Sequence, residues 1–304
     1  IRYVERATGH VYETKTDSLT VQRVSNTTIP GIQEVLWGDK NSFVIRYIDD
    51  DETVKTFYAT LSKTETENEQ ALTGSFLGSW NRATLDQKRE AVFSIEETST
   101  GSVFSLAELD GSKKRTVYTS PIRSWIPLQS NDDLFLQTAP SPKVDGYLYR
   151  LNGQSLVRVV GAEKGLLALV SGDGRYILGS GNDAQGTLET FIVDTKTNER
   201  LSSPVATLAT KCVFLNNGPR VVCGVPDEIP QGEYPNDWLL GKVSFSDDVW
   251  LIDPVGGVAE LVSIPVDDAD TPVDITRPAI NDAGTYFGFI NKNDLSFWAL
   301  RLPE

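Results

Sequence analysis

Two cysteines, a single histidine and a few acidic clusters are the side chains of this sequence whose types could support chemistry. Cys212 and Cys223 flank the segment 213–222, which turns through Asn216-Asn217-Gly218-Pro219. Pairing about that turn sets Leu215 against Arg220, Phe214 against Val221, Val213 against Val222 and Cys212 against Cys223. Opposed residues in a non-hydrogen-bonded pair have Cα atoms ~4.5 Å apart, within reach of a disulfide. A bridge is therefore expected, and with it an oxidising compartment; the competing reading is two buried thiols. Two cysteines without a C-x-x-C pair do not make a zinc site.

Any Ser-His-Asp or Cys-His mechanism would need His10. It follows Thr8-Gly9 in a plain turn setting, and no G-x-S-x-G, H-E-x-x-H or Walker pattern occurs. No catalytic residue, cofactor or metal ligand is assigned. The acidic clusters are Asp49-Asp50-Asp51-Glu52, Asp132-Asp133, Asp247-Asp248, and Asp267-Asp268 with Asp270. Two carboxylates across a cleft could run a glycoside hydrolase or lyase, which is the alternative to a non-catalytic protein. Oxygen-rich loops could also hold Ca²⁺, but none has the D-x-[DN]-x-[DN]-G spacing, and solvated turns account for them.

The 304 residues carry 28 basic and 42 acidic side chains, a net charge of −14. Nucleic acid and anionic membrane surfaces attract the opposite sign, so neither is an expected partner. No window reaches the ~20 apolar residues of a membrane span, and no leader pattern opens the chain. With Ile1 first and no Met anywhere, the sequence reads as a mature or trimmed part of a longer product, anchored, if at all, by a segment outside it.

The elements that position these residues repeat. Polar turns at 39, 86, 131, 173, 217 and 282 are separated by 47, 45, 42, 44 and 65 residues, close to the ~40–45 of a four-stranded propeller blade. Runs rich in β-branched and aromatic residues start after them, near Phe43, Ala91, Leu134, Tyr176, Val221 and Tyr286, and read as second (B) strands. Phe57, Phe104, Tyr149 and Phe191 each lie 18 residues past their turn, and Trp250 and Trp298 lie 33 and 16 past theirs. These mark third (C) strands, with Tyr12 as the seventh such aromatic. Helical periodicity is missing, and an acidic, Thr-rich loop occupies 64–70. The expectation is an all-β, seven-bladed propeller of four-stranded antiparallel blades forming one domain over 1–304. The first blade (1–6, Tyr12, 19–25) lacks an A strand, and the last (273–280 onward) lacks a D strand.

The sixth blade's long turn-to-aromatic interval places a loop insertion at about 226–246 in its B–C connection, and the following D–A connection, 264–271, is long as well. B–C and D–A connections share one end of a propeller, so both should project side by side. The insertion contributes Tyr234, Asp237 and Trp238, the D–A connection Asp267 and Asp268. Trp80 and Trp125, each six residues before their turn, enter their A strands from that end. These residues form the expected binding face for a protein or glycan-like ligand.

Ser171-Gly172-Asp173-Gly174-Arg175-Tyr176-Ile177 resembles the S-P-D-G-x-x-I turn of TolB-like and WD40-like bacterial propellers, with Gly in place of Pro; Trp37-Gly38-Asp39-Lys40-Asn41 is a weaker copy. The segments 2–10 and 243–250 are similar to a group of exported propellers of uncultured bacteria. The resemblance implies the propeller fold and an extracytoplasmic location, periplasmic or at the cell surface. It implies no activity.

Overall fold

The structure is a computed structural model that describes residues 1–304 apart from 17, 19, 39, 40, 64–69, 87–89, 132, 216, 217 and 304, and the backbone alone of Lys63. The expected turn residues Asp39, Lys40, Gln87, Lys88, Asp132, Asn216 and Asn217, the Thr-rich loop at 64–69 and Leu19 lie outside the described residues. The chain divides into two units, Ile1–Pro127 and Leu128–Glu304.

The first unit holds a three-stranded sheet, β1 (Arg2–Val4), β2 (Val11–Thr14) and β3 (Val21–Arg23), and two four-stranded ones. These are β4 (Ile32–Trp37), β5 (Ser42–Ile48), β6 (Val54–Lys63), β7 (Gln70–Gly78), and β8 (Arg82–Asp86), β9 (Ala91–Thr98), β10 (Gly101–Glu108), β11 (Arg115–Ser120). Each is an antiparallel meander. The second strands are buried on both faces because their alternate side chains enter different cores. On β5, Phe43 and Ile45 join Val11, Ile32 and Leu61, while Val44 joins Trp80, Leu85 and Val92.

β12 (Trp125–Gln129) runs across the division between the units. The second unit continues with β13 (Leu134–Thr138), β14 (Asp145–Asn152), β15 (Ser155–Val170), β16 (Tyr176–Asn182), β17 (Leu188–Asp194) and β18 (Glu199–Ser202). Next come β19 (Cys212–Phe214), β20 (Val221–Pro226), β21 (Asp247–Asp253) and β22 (Val258–Ser263), then β23 (Ile275–Ile280), β24 (Tyr286–Asn291) and β25 (Phe297–Arg301). The same alternation recurs on β20, where Val221, Cys223 and Val225 face one core and Val222 the next. Opposite Phe191 the chain uses Gly179, where a Cβ would come 2.3 Å from the ring.

The described strands form six sheets, of three, four, four, seven, four and three strands. Seven separate sheets were expected; the fourth and fifth instead run together through β15. Its first part pairs with β14 from Ser155 to Lys164, and its last part with β16 as far as Val170. The joint is marked by Ala162 and Gly165 in left-handed conformation, at φ 61° and 68°. No proline or two-residue polar turn interrupts this stretch, so the backbone bends without ending the strand.

Among the described residues, helix is confined to one turn each in α1 (Asn236–Leu239) and α2 (Pro265–Ala269) and a 3₁₀ turn at Ala209–Lys211. α1 lies in the insertion and α2 in the long connection that follows β22.

β19 and β20 pair in the expected register, Phe214 with Val221, Val213 with Val222 and Cys212 with Cys223. The two cysteines are bonded, with Cα atoms 4.0 Å apart. Alkylation of oxidised protein should label neither cysteine, and labelling of both without reductant would exclude the bridge. Because the loop is shorter than the 15 residues for which ~3 kcal/mol is expected, reduction should cost somewhat less than that.

Candidate functional site

β20 leaves its sheet at Pro226 and β21 re-enters at Asp247. The intervening insertion is held by aromatic rings that turn inward. Tyr234 and Trp238 are only 3% and 4% exposed. Phe245 is stacked 6.4 Å from Trp238 and lies 5.7 Å from Tyr234. The Tyr234 hydroxyl donates to Pro230 O at 2.6 Å, and Asn182 Nδ2 donates to Tyr234 O at 2.7 Å. Both rings were expected as surface contacts; an uncompensated polar loop cannot bury itself, so these rings serve as its core. Asp237 is half-buried and accepts Glu233 N–H and Lys242 Nζ. The Glu233 amide first, then Lys242, holds its carboxyl below the usual range.

Trp80 and Trp125, in the first unit, are each 1% exposed. Trp125 Nε1 donates to Ile122 O at 3.1 Å, and Trp80 packs with Val44, Ala83 and Val92. Neither indole is open to a ligand. Asp267 and Asp268 are exposed in the first turn of α2. His10 sits in its turn with Nε2 3.3 Å from Thr28 Oγ1.

The most concentrated chemistry lies beneath the insertion, on residues that carry no sequence signal of it. Lys211, in the 3₁₀ turn before β19, is completely buried, and its Nζ reaches Asp247 Oδ2 at 2.6 Å and Asp274 Oδ1 at 2.5 Å. Asp274 also accepts Trp238 Nε1 (2.9 and 3.0 Å) and Phe245 N–H (3.2 Å). Asp247 Oδ2 accepts Ile275 N–H at 2.6 Å, whereas its Oδ1 is buried without a partner. Lys292 closes the group: its Nζ is 3.8 Å from Asp274, 4.5 Å from the Trp238 ring centre, and donates to Trp238 O at 2.6 Å. Thus the insertion, α2's connection and β21 are tied together by one buried ionic network. Asp247, expected in a solvated acidic turn, opens a strand instead.

Burial pushes Asp247 up to about 6 against the pull of Lys211. Burial acts on Asp274 too, but Lys211, Trp238 and the Phe245 amide outweigh it and leave its carboxyl below the usual range. Burial lowers Lys292, partly offset by Asp274. Nearby, Asp248 is pushed up to about 6 by burial, then by the charge of Asp227, its hydrogen bond to Asp227 and the charge of Asp267.

These directions fix a pH dependence. Unfolded, Asp247 takes its proton near 3.8; folded, near 6. Between those values the folded state holds the extra proton, so stability falls as pH rises from about 4 to 6, by up to ~3 kcal/mol. Asp248 acts in the same direction, weakened by solvent screening. Asp274 acts oppositely, losing stability only as pH falls below the usual carboxylate range. Thermal melting should therefore be highest at mildly acid pH, and Asp247→Asn should flatten the profile between 4 and 6. An unchanged slope would refute the assignment.

Chemically, the network binds charge internally. Lys211 Nζ is gripped by two carboxylates, and the Asp227–Asp248 pair is in hydrogen-bond contact, closer than the ~5 Å of a glycosidase pair. Among the described residues, no group of three His, Cys, Asp or Glu is placed to hold a metal, and no helix is long and apolar enough to cross a membrane. A cavity of about 600 Å³ opens beside the network, bordered by 244–246, 271–272, Asn291, Asn293 and Asp294. Residues 244–246 at the end of the insertion and Thr271 at the end of the long connection thus border one cavity. A second cavity, of about 520 Å³, lies in the first unit, bordered by Tyr58, Asp86, Glu90, Glu108 and Asp110. There Glu108 and Asp110 are engaged with Ser112, and Glu108 also with Lys113.

No family model matches the chain, and no curated protein matches it. Solved structures do. Hydrazine synthase of Kuenenia stuttgartiensis aligns over 95% of this chain and 80% of its own, at TM-score 0.59 and 12% identity. The β-propeller domain of the Trilobed protease from Pyrococcus furiosus aligns over 89% and 82%, at TM-score 0.54 and 9% identity. TolB from Acinetobacter baumannii aligns over 85% of this chain at TM-score 0.52 and 12% identity, and the chain spans 62% of TolB. At such identities the likeness establishes the fold alone, a β-propeller.

Proposed function

We propose that this TolB-like β-propeller is an extracytoplasmic, non-catalytic binding scaffold that contacts a partner protein through the insertion between β20 and β21. Dividing the seven-stranded sheet at Gly165 gives two blades that share β15, and hence seven in all, the first and last three-stranded. An enlarged connection between two strands of a well-packed sheet is a common way to present a contact surface. Export is supported by the Cys212–Cys223 bridge, since such bonds persist in oxidising compartments.

One observation carries the reading. The insertion spends its aromatic rings on its own anchoring and leaves aliphatic side chains outside: Ile229, Leu239 and Leu240 are 37%, 49% and 69% exposed. Asp227 and Glu228, also exposed, directly precede Ile229. Anchored apolar residues with acidic neighbours fit a partner surface that is apolar at its centre and basic at its edge.

Selection of phage-displayed peptides on the whole protein tests this. Enriched peptides should combine basic and apolar residues and should lose binding to the Leu239→Asp/Leu240→Asp variant. Peptides that bind wild type and variant equally would overturn the assignment.

A further inference from the structure

We propose that the cavity beside the insertion binds a neutral, hydroxyl-rich ligand, a saccharide, through Ser246, Thr271, Asn293 and Asp294. Its volume of about 600 Å³ falls among those of small-molecule sites, ~300–1,000 Å³. Three separate connections supply its walls, and the lining combines hydroxyls, amides and one carboxylate with Phe245 and Pro272. That composition selects by exclusion. No Lys or Arg lines it, so a phosphate or sulfate lacks its charge-assisted partner. A wholly apolar ligand would strand the polar groups. A sugar presents vicinal hydroxyls that donate to a carboxylate and accept from amide N–H groups, together with C–H faces that the Pro272 ring can cover.

The polar groups are also held in place, as recognition requires. Asn291, 2% exposed at the cavity floor, accepts Asp274 N–H and Asn293 N–H through Oδ1, each at 3.1 Å, and its side chain also bonds Asp294. Asn293 Nδ2 donates to Pro272 O at 2.9 Å, and Ser244 Oγ lies 2.6 Å from Asn293 Oδ1. Asp294 Oδ1 accepts Ser296 N–H at 2.9 Å and Ser296 Oγ–H at 2.6 Å. A carboxylate offers about four lone-pair sites, so Asp294 keeps acceptor capacity for a ligand hydroxyl after these bonds. The floor of the cavity is thus continuous with the Lys211 network, which fixes the connections that form its walls.

The site shares the insertion with the proposed protein contact but uses different residues. Saturation-transfer NMR on the whole protein, with a panel of neutral mono- and disaccharides and with arginine and inorganic phosphate as charged probes, tests it. Neutral sugars should receive saturation, and affinity for the best of them should fall about tenfold or more in Asp294→Asn. Thr271→Val, an exposed and shape-conserving change, should weaken it too, with melting unchanged in both variants. Binding confined to arginine or to phosphate, sugar binding that survives both substitutions, or no saturation of any sugar would each overturn the proposal. The Leu239→Asp/Leu240→Asp variant should bind sugars normally, which separates failure of this site from failure of the protein contact.

Discussion

Lys211→Ala is expected to destabilise the protein by about 3–5 kcal/mol, the usual result of stripping one partner from a buried ion pair. The reason is electrostatic before it is steric. Asp247 and Asp274, 1% and 0% exposed, would face each other with no cation between them, and only Lys292, 3.8 Å from Asp274, would remain. Urea unfolding followed by tryptophan fluorescence measures the loss. A compensated variant distinguishes charge from packing: Lys211→Met with Asp247→Asn and Asp274→Asn should recover much of the stability, because neutral groups of similar shape replace the whole cluster. If Lys211→Ala unfolds at the wild-type midpoint, the network is not the support of this region.

Trp238→Ala should cost about 3–5 kcal/mol as a large-to-small change in a packed core, with its effect concentrated in the insertion. The indole stacks on Phe245, lies over both lysines and donates to Asp274. Trp238→Phe keeps an aromatic ring and removes the N–H, so it should cost the ~1.5–3 kcal/mol of a hydrogen bond to a charged group. Amide hydrogen exchange across 227–246 reads the local consequence. Both variants should exchange faster there, the alanine variant more so, while β16 and β17 stay protected. Uniform acceleration along the chain would mean that the ring stabilises the fold at large and has no special hold on the loop.

Period-two patterning and turn spacing made the strands readable. Phe43, Ala91, Leu134, Tyr176, Val221 and Tyr286 each fall in or at the start of a strand, the marker aromatics from Phe57 to Trp298 each lie in the strand that follows, and Tyr12 lies in β2. The disulfide was legible because a tight hairpin fixes register from its turn outward. Loop aromatics have no such constraint. Tyr234 and Trp238 look the same in sequence whether they face solvent or their own backbone, and irregular structure has no period to decide it. Lys211 was invisible for a related reason: its acidic partner Asp274 is 63 residues away, and a lone lysine in Thr-Lys-Cys resembles any surface lysine. The division between the fourth and fifth modules was overdrawn, since a spacing argument counts turns and cannot see that one strand serves both.

That shared strand ties the fates of its two neighbours. β15 gives one stretch of its backbone to β14 and the next to β16, so pulling out either end removes a pairing edge from both meanders. Most joints between such modules are loops that can tolerate insertion, deletion or proteolytic nicking; this one is a single strand that bends at Ala162 and Gly165 without giving way to a loop. The pair should open as one cooperative block in hydrogen exchange. A duplication or loss of either half alone would leave an unpaired edge, so this joint is the place where the repeat can least be cut and spliced.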